Sequence, residues 1–464
     1  PMSSIASTQE TDCSDVLCVG FGPAGLSIAT AMADEGLIST ADLNTTSSAD
    51  RMKVEFLEKQ ASFCWHGGML LDGSKMQISF LKDLVTLRNP SSRFSFVKYL
   101  HENDRLVPFM NLGSWTPYRE EFNDYLSWVA AKFDNSCTYG ERVLSIEPVV
   151  CDKSGVVSRV RVESENTSTG LRSVRETKSL VMAVGGQPKY PEFARMYFAA
   201  ASNNTSSRDC PAVAHSSQYI HRVQSMLPDR DAPYTIAVIG QGQSGAELFM
   251  DLSDRYPNAT IKLIFRDTAL RPSDASPFVN EVFNPEYRDE FYQMSAQDRQ
   301  THRTRNGATN YSVVNSNLID SIYGMLYQQG LPTHAGKRKC TLLPGRNVVA
   351  MEQAPNGGVI LHLIRGRGAA SIYESLTLNA VFLATGYERS AHETMLAPLM
   401  AYLRRDPATS HLLVGRDYKA QVIDPSRFQP AIYLQGCCEH THGLSDTLLS
   451  VLGVRGGEVV ESIK

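Results

Sequence analysis

Two glycine-rich hexapeptides are the first candidates for chemistry in this chain: Gly20-Phe21-Gly22-Pro23-Ala24-Gly25 and Gly240-Gln241-Gly242-Gln243-Ser244-Gly245. At this spacing the first glycine permits a tight turn, the second admits a pyrophosphate to the backbone, and the third lets the next helix lie close on the preceding strand. The unpaired N–H groups and positive dipole end of that helix then face the phosphates. One such hexapeptide is weak evidence, because glycine clusters also make plain turns; two, each preceded by an apolar run and followed by a helical pattern, point to two dinucleotides. Glu58 and Arg266 distinguish the two sites. A carboxylate accepts hydrogen bonds from ribose hydroxyls and repels a 2′-phosphate, which suits FAD, whereas Arg266, 21 residues after Gly245, is placed to pair with the 2′-phosphate of NADP. The plain alternative is an exposed arginine at a strand end. FAD and NADPH on one chain imply an oxidoreductase in which hydride passes to flavin.

The electrons then need an acceptor. Disulfide reductases carry a C-x-x-C or C-x(4)-C pair beside the flavin; no C-x-x-C exists among the nine cysteines, and the one C-x(4)-C spacing, Cys13 to Cys18, falls in and just before the apolar strand that precedes the first glycine turn. Cys437-Cys438-Glu439-His440-Thr441-His442 has neither the spacing of a structural zinc site nor a loop setting, so no metal is expected. Arg365-Gly366-Arg367-Gly368 reads as a hairpin tip and Lys337-Arg338-Lys339 as a solvated loop.

Local patterns supply the elements that must hold these residues. Asp15 to Gly20 is a short apolar strand, Leu26 onward a helix of small and apolar residues, and Val54–Glu58 a second strand after a Ser/Thr-rich surface insertion from Ser39 to Asp50. The same grammar recurs with a strand from Tyr234 to Gly240, a helix from Ala246 and a strand from Ile261 to Arg266. A hairpin spans Val156 to Val184 around the turn Asn166–Gly170, and later strands turn at Pro355–Gly358 before ending at Leu383-Ala384-Thr385-Gly386-Tyr387. A further apolar strand, from Ala431 to Gly436, runs to a helix start.

Composition closes off other classes. A length of 464 residues predicts two or three domains, and 42% hydrophobic with 20% charged residues describes a folded protein. Lys plus Arg is 45 against 49 Asp plus Glu, so no basic surplus favours nucleic acid. No apolar run reaches membrane-spanning length, residues 1 to about 14 form a polar tail without the features of a signal peptide, and the odd, scattered cysteines suit a reducing, cytoplasmic setting. Sequons such as Asn44-Thr45-Thr46 and Asn166-Thr167-Ser168 are then chance matches.

Longer blocks carry a more specific signal. Lys75-Met76-Gln77-Ile78-Ser79-Phe80-Leu81-Lys82-Asp83-Leu84, the run Arg271–Asn284, Thr309-Asn310-Tyr311-Ser312, Leu383–Tyr387 and His442-Gly443-Leu444-Ser445-Asp446 resemble the L-ornithine N5-monooxygenases of siderophore biosynthesis, the fungal ones in particular, from about residue 14 to the end. The resemblance implies an α/β flavoprotein with two Rossmann-like domains: FAD-binding segments at 12–200 and 385–464, and an NADPH-binding domain at 201–384 that includes a substrate region at about 280–345. It also implies N-hydroxylation of L-ornithine with O2 through a C4a-hydroperoxyflavin, protected by bound NADP+ and a dry pocket, and a homotetramer.

By the same resemblance the flavin meets Gly20, Gly22, Pro23, Gly25, Glu58, Lys59, Trp65, His66, Met76, Gln77, Val143, His442, Gly443 and Leu444. NADP meets Gly240, Gln241, Gly242, Gln243, Ser244, Arg266, Asn310, Tyr311 and Ser312, and ornithine meets Lys82, Asn280, Glu281, Val282, Phe283, Asn310 and Ser445. Catalytic roles fall to Lys82, Arg119, Asn280 and Asn310, with Arg119 and Met76 around the isoalloxazine. A surface arginine and a core methionine are the plain alternatives for that last pair. Lys82 suits the substrate carboxylate as a point charge, and neutral asparagines accept from an amine without holding it charged. Ser445 and Asp446 stand where a helix from Thr447 is expected to begin, so Ser445 reads equally as an N-cap. One departure is Asn379, where relatives carry aspartate four residues before the leucine of Leu383–Tyr387; asparagine keeps the turn-forming hydrogen bonds, while coupling between domains is open to change. Lysine N6-hydroxylation, one methylene away, and a non-catalytic nucleotide sensor are the rival readings.

Overall fold

A computed structural model describes residues 13–41, 51–151, 153–204, 212–334, 339–355, 357–366 and 371–464. The polar tail before Cys13, most of the Ser39–Asp50 insertion with Asn44, Lys337-Arg338, Asn356 and Arg367-Gly368 lie outside the described residues. The chain begins with β1 (Cys13–Val19), α1 (Pro23–Asp34) and β2 (Val54–Glu58). Val16 to Val19 are almost wholly buried, as a strand paired on both edges and covered on both faces must be. Helices α2 (Phe96–Glu102), α3 (Leu106–Leu112) and α4 (Arg119–Ala131) precede β3 (Cys137–Tyr139), and the antiparallel run β4 (Glu141–Val150), β5 (Val157–Asn166) and β6 (Arg172–Met182) returns the chain to lie parallel beside β1. Asn166 Oδ1 accepts the N–H groups of Ser168 and Thr169, which makes the predicted turn between β5 and β6. The strand order of this sheet is β3-β2-β1-β6-β5-β4.

Following β7 (Gln187–Pro188) and α5 (Glu192–Asn204), a second sheet starts with β8 (Val213–His215), α6 (Tyr219–Met226), β9 (Thr235–Ile239), α7 (Gln243–Arg255) and β10 (Thr260–Ile264). Helices α8 (Tyr287–Gln293), α9 (Ala296–Asn306) and α10 (Ser316–Gln329) lead to β11 (Cys340–Leu343). The antiparallel strands β12 (Arg346–Gln353), β13 (Val359–Arg365) and β14 (Ile372–Leu378) form a small sheet of their own before β15 (Ala380–Leu383) enters the second sheet, ordered β11-β10-β9-β15-β8 and parallel throughout. Alternation along β9 decides its packing: Ile236 and Val238 join one core with α7, whereas Ala237 and Ile239 join another with β12 and β13. Asn379 receives the Thr235 N–H on its Oδ1 at 2.7 Å, a bond that an aspartate at this position would also make.

β16 (Tyr387–Glu388) pairs with β7, and after α11 (Ala391–Met395) the chain returns to the first sheet, where β17 (Ala431–Leu434) lies parallel to β6. The short α12 (Glu439–His442) and then α13 (Leu452–Ile463) complete the chain. α13 approaches α1 closely because both present small residues. The Ser27 hydroxyl donates to the Leu452 carbonyl at 3.0 Å, and a Cβ on Gly456 would lie 2.3 Å from Ser27 Oγ. Among the described residues no helix is long and apolar enough to cross a membrane.

Candidate functional site

The two glycine turns are built alike. Gly20 has φ +98°, and a Cβ there would lie 2.3 Å from the Ala183 carbonyl oxygen beyond the end of β6; a Cβ on Gly25 would lie 2.5 Å from Gly20 O. Gly22 differs, since nothing stands within 4 Å of the place its Cβ would occupy. That open side faces the start of α1, which has no side-chain cap and carries Pro23 in its first turn. Unmet N–H donors beside an open glycine suit a pyrophosphate. Glu58, buried at the end of β2, accepts the N–H groups of Phe21 and Gln60, each at 2.9 Å. Each carboxylate oxygen keeps a further lone pair for a ribose hydroxyl. Lys59 beside it is exposed.

In the second turn Gly240 has φ +140° and a Cβ would lie 2.2 Å from Ala384 O; one on Gly245 would lie 2.3 Å from Gly240 O. Opposite Gly242 the nearest atom is Ser312 Cα at 3.8 Å, and α7 again starts without a side-chain cap. The segment Asn310–Ser312 therefore meets this turn, with Ser312 in a left-handed conformation at φ +59°. Gln241 Oε1 accepts the Asp267 N–H at 3.3 Å, and Gln243 Oε1 accepts the Asn315 N–H at 2.8 Å. The expected strand to Arg266 stops at Ile264, because β11 pairs only that far. Arg266 follows it, exposed and without a carboxylate partner among the described residues. The Tyr311 hydroxyl donates to Glu439, which also holds Arg303 at 3.0 Å; burial and that carboxylate push the tyrosine up to about 12.

Trp65, His66 and Tyr387 form one group of rings, and Arg119 and Arg389 act electrostatically on His66. The His66 ring is 4.8 Å from Trp65 and 6.0 Å from Tyr387; it remains open to solvent, yet the surrounding walls, then Arg119 and Arg389, hold its pKa down to about 4, so the imidazole is neutral. Asn123 fixes the Trp65 N–H at 2.7 Å. Arg119, expected near the isoalloxazine, makes a two-pronged ion pair with Glu247 at 2.8 and 3.0 Å and donates to Met69 O at 2.8 Å. Met76 and Val143 have their side chains in the main core, whereas Gln77 is exposed.

The C-terminal segment differs most from expectation. The His442 ring is fully buried, stacked on Tyr418 with centroids 4.0 Å apart, and its nitrogens lie 3.1 Å from Arg416 O and 2.8 Å from the Thr441 hydroxyl. That leaves only the backbone of His442, Gly443 and Leu444 to meet a ligand. The helix expected from Thr447 begins at Leu452 instead, preceded by a 3-10 turn over Leu444–Thr447. Asp446 dictates this by accepting the Cys438 N–H at 2.7 Å and pairing with Arg455 at 3.1 Å, a buried ion pair that holds the segment in a turn. Ser445 is accordingly not the cap of the long helix, where Val451 stands. Its hydroxyl is buried without a partner among the described residues, a feature that suits a ligand atom. Asn280, Glu281, Val282 and Phe283 form a 3-10 turn over Val279–Phe283 that packs on the Leu444–Thr447 turn. Lys82 is half-buried and has no carboxylate partner among the described residues; desolvation lowers its pKa. It lies two residues before Leu84, whose carbonyl oxygen would be 2.9 Å from a Cβ on Gly453 at the start of α13.

The sequence reading gave no role to Glu247 or Asn123, and named Glu439 and Tyr387 only within the Cys437–His442 and Leu383–Tyr387 runs. Only Glu247 carries a local signal, one helical turn after Gln243, because the partners of the others lie far away in the chain. Among the described residues no group of three His, Cys, Asp or Glu side chains is arranged to hold a metal ion.

Two sheets, the first parallel around β1 and the second parallel throughout, each with an uncapped glycine turn, define an oxidoreductase of the kind that binds two dinucleotides; the bacillithiol disulfide reductase of Bacillus cereus, 13% identical with a TM-score of 0.55, shares the fold. The chain belongs more narrowly to the L-lysine 6-monooxygenase/L-ornithine 5-monooxygenase family, which it matches over residues 12–389. It is 46% identical to the L-ornithine N(5)-oxygenase of Arthrobotrys oligospora over 97% of this chain and 88% of that one. The ornithine hydroxylase PvdA of Pseudomonas aeruginosa is similar in structure at 40% identity, with a TM-score of 0.84 and coverage of 97% and 99%. The ornithine N-hydroxylase KtzI of Kutzneria sp. 744, solved with reduced FAD, NADP+ and L-ornithine, has the same TM-score at 32% identity with the same coverage.

Proposed function

We propose that this protein is an FAD-dependent monooxygenase that hydroxylates the side-chain amine of L-ornithine: L-ornithine, NADPH, O2 and a proton give N5-hydroxy-L-ornithine, NADP+ and water. The observation that carries the substrate assignment is identity of 32 to 46% to ornithine enzymes along nearly the whole chain, against 27% to the L-lysine 6-monooxygenase of Pseudomonas syringae. FAD held at the first glycine turn and Glu58 would supply hydride acceptance from NADPH and the activation of O2. The chain supplies the rest. The Gly22 and Gly242 turns receive the two pyrophosphates, Glu58 the FAD ribose, and exposed Arg266 the 2′-phosphate. FAD-binding segments at 12–200 and 385–464 enclose an NADPH-binding part at 201–384, which includes the ornithine-binding stretch at 280–345.

Lys82 takes the ornithine carboxylate; with no carboxylate among the described residues to neutralise it, its charge is free for a substrate, and partial burial strengthens the pairing. The reacting amine must be neutral. Its solution pKa is near ~10.4, so deprotonation at pH 8 costs about 3 kcal/mol, and the uncharged Asn280 and Asn310 accept from it without adding to that cost. The product is an early intermediate of hydroxamate siderophores. Free thiols at every described cysteine and the need for NADPH suit the cytoplasm, and the assembly proposed is a homotetramer.

Hydroxylamine formation measured with ornithine and lysine side by side tests the reading: product with ornithine alone is expected, and equal product from both overturns it. Lys82→Ala should raise the KM for ornithine by about 10- to 100-fold, from the ~1.5–3 kcal/mol of a charge-assisted bond, with flavin content unchanged. Unchanged ornithine affinity removes Lys82 from the role.

A further inference from the structure

We propose that Glu247 is a positioning residue for hydride transfer, one carboxylate that sets the NADPH-binding turn against the flavin-binding half. The proposal rests on the FAD and NADPH reading above. Glu247 lies on α7, one helical turn inside the glycine turn, and its partner Arg119 is the first residue of α4, 128 residues earlier in the chain. Arg119 reaches both carboxylate oxygens, at 2.8 and 3.0 Å, and the two side chains are only 13% and 10% exposed. A forked pair of this kind fixes orientation as well as distance. The same guanidinium donates to Met69 O, in the turn that follows His66, and that turn meets the second sheet again at Gly68, where a Cβ would fall 1.9 Å from Ser217 O.

The second function of the carboxylate is to orient an amide. Glu247 Oε1 also accepts from Gln243 Nε2 at 2.9 Å, which forces the amide oxygen of Gln243 outward to receive the Asn315 N–H at 2.8 Å. Asn315 closes the segment that carries Asn310, Tyr311 and Ser312. One negative charge therefore fixes the His66–Met69 turn, the start of α4, the mouth of the NADPH turn and the substrate-facing segment. Neutral glutamine in its place cannot satisfy this set. With its oxygen at the Oε1 place it accepts from Gln243 and one Arg119 nitrogen but sets its NH2 against the other Arg119 nitrogen; turned over, its NH2 meets both Arg119 and Gln243.

The test uses flavin-loaded protein. Glu247→Gln should retain the native flavin content and unfolding midpoint. Anaerobic stopped-flow reduction at saturating NADPH should slow by about tenfold or more, since small errors of placement are costly in a step of this kind. Calorimetric NADP+ affinity should change by less than about threefold, the effect being one of placement, and O2 should reoxidise the dithionite-reduced flavin at the native rate. Glu247→Asp, which restores the charge, should recover part of the reduction rate. A native reduction rate in Glu247→Gln overturns the proposal, as does a slower rate that merely follows lost flavin or a lowered midpoint. Should Glu247→Gln fail to fold, Arg119→Lys keeps the charge without the fork and must show the same slow reduction; if that variant also fails to fold, the pair is structural and the proposal falls. A native protein that NADPH does not reduce would refute the functional reading instead.

Discussion

At the scale of single residues, charge and its partners separate binding groups from structural ones. Arg266, Lys82 and Arg119 are all cationic, but among the described residues only Arg119 is paired with a carboxylate, that of Glu247. The other two keep their charge available. Arg266→Ala should raise the KM for NADPH about tenfold and leave that for NADH nearly unchanged, an effect of ~1.4 kcal/mol that is modest because the site is exposed. Steady-state kinetics with both nucleotides checks this; an equal loss for each would place Arg266 outside the 2′-phosphate site. The spacing from Gly245 made Arg266 legible as a candidate, whereas the ion pair of Arg119 was not, because its partner is distant in sequence and the pairing exists only once both sheets have folded.

At the scale of elements, the glycine turns were legible because their requirement is local: a strand must end, reverse and feed a helix within six residues. The structure adds that the three glycines of one turn do different things. Gly22→Ala places a Cβ in open space at φ −72°, so the protein should fold normally but bind FAD at least about tenfold more weakly, a steric loss at the phosphate site. Gly20→Ala instead meets Ala183 O and a positive φ, and should lower the yield of folded protein. Flavin content and circular dichroism of the two variants give the contrast, and equal behaviour would refute it. The C-terminal helix shows where local reading ends. Its apolar and small residues run on from Thr447, but the buried demands of Asp446 for Cys438 and Arg455 override propensity and delay the helix to Leu452.

For the whole molecule, burial of neutral histidines sets the response to acid. His215 and His442 are fully buried and burial holds both near a pKa of about 4, below the ordinary 6.5. Between those values the unfolded chain binds protons that the folded protein refuses. Their contribution is therefore complete above about pH 6.5, is lost as pH falls toward 4, and is as much as about 3 kcal/mol each. Scanning calorimetry from pH 7 to 4.5 should show a falling midpoint, and a flat profile would exclude this origin. The His442 ring lies 5.2 Å from that of Tyr292 and His215 hydrogen-bonds Gly386 at 3.1 Å, so the acid-sensitive contacts lie where the last third of the chain rejoins earlier elements.

By itself the sequence determined the two nucleotide turns and the acidic and basic residues that distinguish them, because each depends on residues close together in the chain. Tertiary structure decided that β17 pairs with β6 although nearly 250 residues separate them, that Asn280 and Ser445 lie on packed turns, and that Arg119 faces Glu247. The physical reason is range: turns and alternation are set by backbone sterics and neighbouring side chains, while ion pairs and buried hydroxyls take their partners from whichever segments the packed sheets bring together.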